Sequence, residues 1–307
     1  MLPDKIFGLF SMYGLMIGVG IILCFVVLYV YGKRAKINSK FLDFVFYNGI
    51  VSIIGGFFFA FLVQAILDYI AHPENGFHFQ NITFMGGLLG GAGIFLIGYF
   101  IFRKKYPKGE ILKLLQIVPC CILIAHAFGR IGCFCAGCCY GIETDSWLGI
   151  EFPAHPGVKV YPTQLFEAIF LFLLFALCSI LFYKRNFKYN LPLYMIGYGI
   201  FRFCIEFIRG DDRGAFILGM SPSQFWSILL ILGGIVVIFL IKYLYKKQDT
   251  EEESLALDSP IGADYPEEKE TKEISPENDN KEEKKENNKL KKENQKKLGD
   301  LDDNKKE

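Results

Sequence analysis

The chain has 307 residues, is 52% hydrophobic, carries 31 Phe against 12 Pro, and interrupts its long apolar runs with clusters of Lys and Arg. Those features exclude an ordinary soluble domain and place the body of the chain in a membrane. The net charge of +1 hides two unlike regions, because positions 246–307 hold 14 Lys and 20 acidic residues, leaving 19 of the 33 basic and 12 of the 32 acidic residues to the first 245.

A bilayer core about 30 Å thick needs roughly 20 apolar residues per helix. Seven windows meet that length: Ser11 to Tyr29, Phe44 to Leu67, Ile82 to Phe102, Ile111 to Phe128, Pro162 to Tyr183, Leu191 to Ile208 and Pro222 to Tyr245. The first is too long for a signal peptide, its basic cluster follows rather than precedes it, and no small-residue cleavage site appears, so it is expected to stay as a span. Basic clusters GKRAK, RKKYPK, YKRNFK and KYLYKK follow spans one, three, five and seven. Their side is expected to be the cytosol. The expected fold is therefore an all-α polytopic membrane protein with seven transmembrane helices, its amino terminus outside and its carboxyl terminus inside. Residues 1–245 form the membrane domain. Residues 246–307, with Tyr265 as their one aromatic and runs such as KEEKKENNKLKKENQKK, hold too little apolar surface to offset ordering entropy and are expected to be a disordered, charged cytosolic tail.

This topology gathers HAFGRIGCFCAGCCYG (positions 126–141), the loop from Tyr140 to Tyr161 and IRGDDRG (208–214) at the outer face. A site acting on a lipid headgroup or an exported chain would need to be built there. Ionisable side chains near a bilayer centre cost about 2.5–3.5 kcal/mol on insertion scales, so they face a cavity or a partner. Span six carries YGIFRFCIEFIRG, in which Tyr198, Arg202, Glu206 and Arg209 recur at spacings of four, four and three along one helical face. Arg202 is placed to pair with Glu206 and keep donors free for a phosphate; a purely structural ion pair is the alternative. Span four ends in Arg130, with His126 one turn earlier, and span five opens YPTQLFE, where Gln164 and Glu167 face one way. Glycines at 86, 87, 90, 91 and 93 in span three mark close helix packing.

Together SMYGLMIG, GGLLGG, GRIG, YPTQLFEA and YGIFRFCIEFIRG resemble the prolipoprotein diacylglyceryl transferase family of bacterial membrane enzymes, over roughly Ser11 to Tyr245. The resemblance implies a multi-pass enzyme of the bacterial cell membrane. It would move the diacylglyceryl group of phosphatidylglycerol onto the lipobox cysteine thiol of an exported preprolipoprotein, forming a thioether and releasing glycerol phosphate. It implies no cofactor and no metal; membrane lipids and the preprolipoprotein signal peptide are the expected partners, and nucleic acid is not. Carried over by motif, Arg130 and Arg202 are the essential arginines, Tyr198, Glu206 and Arg209 neighbour the second, Gln164 and Glu167 match the family's QLYE, and Gly141 closes the fourth-span signature. Catalysis is thus expected of Arg130, Arg202 and Glu206, and substrate binding of Arg130, Tyr198, Arg209, Gln164, Glu167 and Gly141.

Two positions depart from the family pattern. Met85 stands where the family's FHGG segment has a histidine, and methionine takes no proton. His126, on the face of Arg130, is the candidate replacement as general base. The signature then runs GRIGCFCAGCCYG instead of GRIGNFINGE, placing Cys133 for asparagine and Cys138 for glutamate. A disulfide, a metal site and plain packing all remain open for Cys133, Cys135, Cys138 and Cys139. With these departures, a family member acting on another envelope acceptor, or a lipid-binding protein without catalysis, stands beside the leading reading.

Overall fold

The computed structural model describes residues 11–79, 83–107, 109–153, 156–210 and 219–258. His155, the Asp211 to Gly214 part of IRGDDRG, and the tail beyond Asp258 lie outside the described residues. Seven helices follow in order: α1 (Met12–Arg34), α2 (Ser39–Ala71), α3 (Phe84–Phe102), α4 (Glu110–Ala136), α5 (Thr163–Arg185), α6 (Asn190–Ile205) and α7 (Pro222–Asp258). All seven are long and apolar enough to cross a membrane, α6 reaching that length together with the tighter turn Glu206–Ile208. The expected all-α, seven-span architecture is present. The only paired strands among the described residues are β1 (Ile150–Glu151) and β2 (Lys159–Val160), joined antiparallel with Ile150 opposite Val160.

Local chemistry sets the helix ends. Ser11 caps α1 by accepting from the Gly14 N–H at 3.1 Å, and Asn38 caps α2 by accepting from Lys40 and Phe41. Lys33 and Arg34 close α1, and Lys184 and Arg185 close α5, where cations meet the negative end of the helix dipole. These caps also lie beside the apolar runs, so the same residues that stop the helix stop the span.

At the centre stands α4, which packs against α1, α5 and α6. Leu114, Ile117, Leu123 and Ala127 are buried along it, beside Leu171 and Cys178 of α5. Two glycines bring α1 against α4: a Cβ on Gly20 would sit 2.9 Å from the Ala125 carbonyl, and one on Gly132 would sit 3.2 Å from the Tyr13 ring. A second close pair is α2 with α3, where Gly56, Gly86, Gly87 and Gly91 remove the side chains that would keep the backbones apart. That is the packing role expected of the span-three glycines, except at Gly93, which faces open space. On α6, Gly199 admits Ile231 and the Ser227 carbonyl of α7.

Three boundaries differ from the sequence reading. Helix α4 does not stop near Arg130 but runs through Ala136, so Cys133 and Cys135 are helical residues rather than loop residues. Glycine at position 137, with φ 70°, is the residue able to end it, its N–H turning back to the Cys133 and Phe134 carbonyls. Helix α7 continues through Asp258, beyond the boundary at 245, along KKQDTEEESLALD, a run rich in good helix formers. And α6 ends at Ile205, tightens through Glu206–Ile208, and leaves Arg209 extended with ψ 141°. The four-residue face expected of Tyr198, Arg202, Glu206 and Arg209 therefore holds only as far as Glu206. Backbone pairing of Arg209 with Gly141 competes with the last helical turn and wins.

Candidate active site

Glu167 sits one turn into α5 and is 1% exposed. A carboxylate placed there must be paired. Its Oε1 lies 3.0 Å from Arg130 Nε on α4, accepts from the Tyr198 hydroxyl on α6 at 2.8 Å, and lies 3.5 Å from His126 Nε2. One oxygen thus gathers three groups from two neighbouring helices. The His126 ring meets the Tyr198 ring edge-on at 5.1 Å, and Tyr194 stacks on Tyr198 at 6.0 Å. Helical spacing explains the convergence, since His126 and Arg130 lie four apart on the face that α4 turns to α5.

A second cluster is built around Glu206. Arg202 Nη2 lies 2.8 Å from Glu206 Oε2 and donates to Ser223 Oγ at 2.8 Å, while Ser221 Oγ donates to Glu206 Oε1 at 2.9 Å. Arg209 Nε stands 3.8 Å from Glu206 Oε2. Arg202 also lies within electrostatic reach of Glu167, as Arg130 does. The two arginines therefore share one carboxylate neighbourhood. Among the described residues, Arg202 Nη1 is buried without a hydrogen-bond partner, so the guanidinium keeps a donor for a ligand.

Gln164 and Gly141 stand at the turn between α4 and α5. Gln164, 1% exposed, donates from Nε2 to the Cys138 carbonyl at 2.6 Å, and Thr163 Oγ1 donates to the Cys139 carbonyl at 2.8 Å. They fasten the cysteine turn to the start of α5. Gly141 joins three segments through its backbone: its N–H donates to the Tyr161 carbonyl at 2.7 Å, and the next N–H, Ile142, donates to the Ile208 carbonyl at 2.9 Å. A Cβ at Gly141 would lie 2.5 Å from the Ile208 carbonyl oxygen, so only glycine fits the junction.

Ser221 and Ser223 are site residues that the sequence reading missed. Their signal was the polar opening SPSQ of the otherwise apolar seventh span, where serine reads first as a helix cap. Met85 lies in the first turn of α3, and α3 packs along α2 rather than against the α4–α5–α6 cluster.

A sequence model of the prolipoprotein diacylglyceryl transferase family matches residues 6–240. Among curated relatives, the phosphatidylglycerol-prolipoprotein diacylglyceryl transferase of Clostridium tetani is 36% identical over 255 residues, covering 78% of this chain and 94% of the relative. The transferase of that name numbered 2 in Clostridium perfringens is 37% identical over 260 residues, covering 81% and 98%. The Finegoldia magna transferase is 34% identical over 252 residues, covering 80% and 95%. With seven helices suited to a membrane and a matched region that covers the first six and enters the seventh, this chain is a multi-pass membrane protein that belongs to the prolipoprotein diacylglyceryl transferase family.

Proposed function

We propose that this chain transfers the diacylglyceryl group of phosphatidylglycerol to the thiol of the lipobox cysteine in an exported preprolipoprotein, at the outer face of the bacterial cell membrane. The acceptor thiol loses its proton, and its sulfur attacks the glycerol carbon that bears the phosphate. A carbon–sulfur bond forms as the carbon–oxygen bond breaks, and the electron pair leaves with glycerol phosphate. Such a displacement needs the nucleophile held in line and the charge on the departing phosphate neutralised.

The observation that carries this reading is that Tyr198, one turn before Arg202 on α6, donates to the same Glu167 oxygen that pairs with Arg130. Arg202, held by Glu206 and Ser223, with no hydrogen-bond partner for Nη1 among the described residues, is oriented to grip the phosphate. Arg130, fixed by Glu167, supplies the second positive charge. Tyr198 takes its place by holding the same carboxylate oxygen. His126 is the proton acceptor in this scheme: Nε2 is turned to Glu167, which stabilises an imidazolium, and Nδ1 receives the thiol proton. Gln164 and Gly141 act on substrate through the turn they hold, and Arg209 through Glu206. The amino terminus lies outside and the carboxyl terminus inside, supported by the basic clusters that follow spans one, three, five and seven.

Purified full-length protein incubated with labelled phosphatidylglycerol and a lipobox peptide tests the proposal. Label on the peptide as a thioether, with one glycerol phosphate released per thioether, is the expected result. Lipid binding without turnover would overturn the reaction. Label on another envelope acceptor, with none on the peptide, would overturn the choice of acceptor.

A further inference from the structure

The four clustered cysteines have no part in that reaction, and the structure treats them unequally. Cys133 lies in the last turn of α4, and the chain then reverses. The Gly137 N–H turns back to the Cys133 and Phe134 carbonyls, and the Cys138 N–H donates to the Cys133 carbonyl at 3.2 Å. Cys139 has φ 65°. A residue bearing a Cβ adopts that left-handed conformation only at a cost, so its surroundings must enforce it. They do: the buried side chains of Gln164 and Thr163 hold the Cys138 and Cys139 carbonyls at 2.6 and 2.8 Å. The outcome of this fastening is that the sulfurs of Cys133, Cys138 and Cys139 all lie within 4.8 Å of one another. Cys135, although on the same helix, is outside the group.

We propose that Cys133, Cys138 and Cys139 form a three-thiolate site for a soft divalent metal ion, with zinc as the fitting example. Zinc–sulfur bonds of about 2.3 Å in tetrahedral geometry put three sulfurs roughly 3.8 Å apart, so the cluster needs only a small contraction to close on the ion. Thiolates select such a soft cation over magnesium or calcium. Binding releases three thiol protons and forms three metal–sulfur bonds, leaving a fourth position for water. The product carries one net negative charge, and two cations stand beside it. Arg130 lies within electrostatic reach of Cys133 and Cys139, and Arg209 within reach of Cys139. Cys138 is exposed, which gives the ion a way in. The family resemblance implies no metal for the reaction. This site is additional to it, and its role is to lock the turn that leads into Gly141.

Metal content and thiol protection test the site without reference to catalysis. Full-length protein, purified in detergent under reducing conditions, loaded with zinc chloride and desalted, is expected to retain one zinc per chain. Zinc is expected to protect three of the nine cysteines from alkylation, identified by peptide mass spectrometry as Cys133, Cys138 and Cys139. Cobalt(II) in its place should show sulfur-to-metal charge-transfer absorption. Cys138→Ser should lose the zinc and the absorption, whereas Cys135→Ser and Cys204→Ser should keep both. Absence of zinc from the wild-type protein, a protected set other than these three, zinc retained by Cys138→Ser, or a disulfide among the three that persists under reduction would each overturn the proposal. Protection in the wild-type chain decides the matter even where a serine variant fails to fold.

Discussion

Two of the close helix contacts in this molecule are packed for different ends. Between α2 and α3 the contact is made by Gly56, Gly86, Gly87 and Gly91, and what crosses it is backbone against backbone. Between α4 and α5 the contact encloses Arg130, His126 and Glu167, joined through one carboxylate oxygen. The first interface gains by close approach and van der Waals contact. The second places charges where they are costly, and accepts that cost in order to hold them in one geometry. A membrane helix of this protein therefore announces its task by what stands at its contact face: glycine for adhesion, paired charge for chemistry.

Substitutions on the two faces should separate these tasks. Glu167→Gln is expected to have the largest effect, because removing one member of a buried pair costs about 3–5 kcal/mol. Initial-rate kinetics of diacylglyceryl transfer should show kcat/KM down by roughly a thousandfold, with thermal stability lowered as well. His126→Gln keeps hydrogen bonding but cannot accept the proton, and loss of a general base costs about a hundredfold or more. That loss should fall on kcat with KM for phosphatidylglycerol little changed; an undiminished kcat would remove His126 from the mechanism. Ser223→Ala deletes a hydrogen bond to a charged guanidinium, worth about 1.5–3 kcal/mol, and should weaken phosphatidylglycerol binding by about tenfold while kcat changes less. Smallest in kinetic effect is Gly86→Val on the adhesive face. A side chain there meets the Phe59 carbonyl and Val63 at 2.8 Å, and crowding of this kind costs about 1–3 kcal/mol. Thermal unfolding in detergent should shift downward while the rate per folded molecule is unchanged. A kinetic loss equal to that of Ser223→Ala would erase the distinction between the two interfaces.

The spans were legible because a bilayer asks for length and apolarity, which a sequence displays directly. His126 and Arg130 were legible as one face of span four, and Gln164 and Glu167 as one face of span five, because helical spacing of three and four fixes which side chains line up; that Glu167 meets the other two across helices appears only in the structure. Spacing was less informative once regular helix gave way. Arg209 was assigned to the face of Arg202 and Glu206, but its backbone pairs with Gly141, a contact 68 positions away in sequence that no local period reveals. Gln164 shares its face with Glu167 yet spends its amide on the Cys138 carbonyl, since a buried amide takes whichever carbonyl comes nearest. Ser221 and Ser223 were hidden for a related reason. A serine opening a helix is so ordinary as a cap that its reach to Glu206 or Arg202 appears only when α6 and α7 are seen side by side. The cysteine turn was visible as composition, but which three sulfurs meet depended on positive φ at Gly137 and Cys139, which sequence alone does not specify.

The account stands on Arg130 and Arg202 acting on one bound phospholipid. A double-mutant cycle on kcat/KM for transfer from phosphatidylglycerol, using Arg130→Gln, Arg202→Gln and the pair together, measures that directly. Each single change should cost about a hundredfold or more, and the double variant should be little worse than the poorer single. Losses that simply multiply, or a single variant that keeps its full rate, would contradict a shared site.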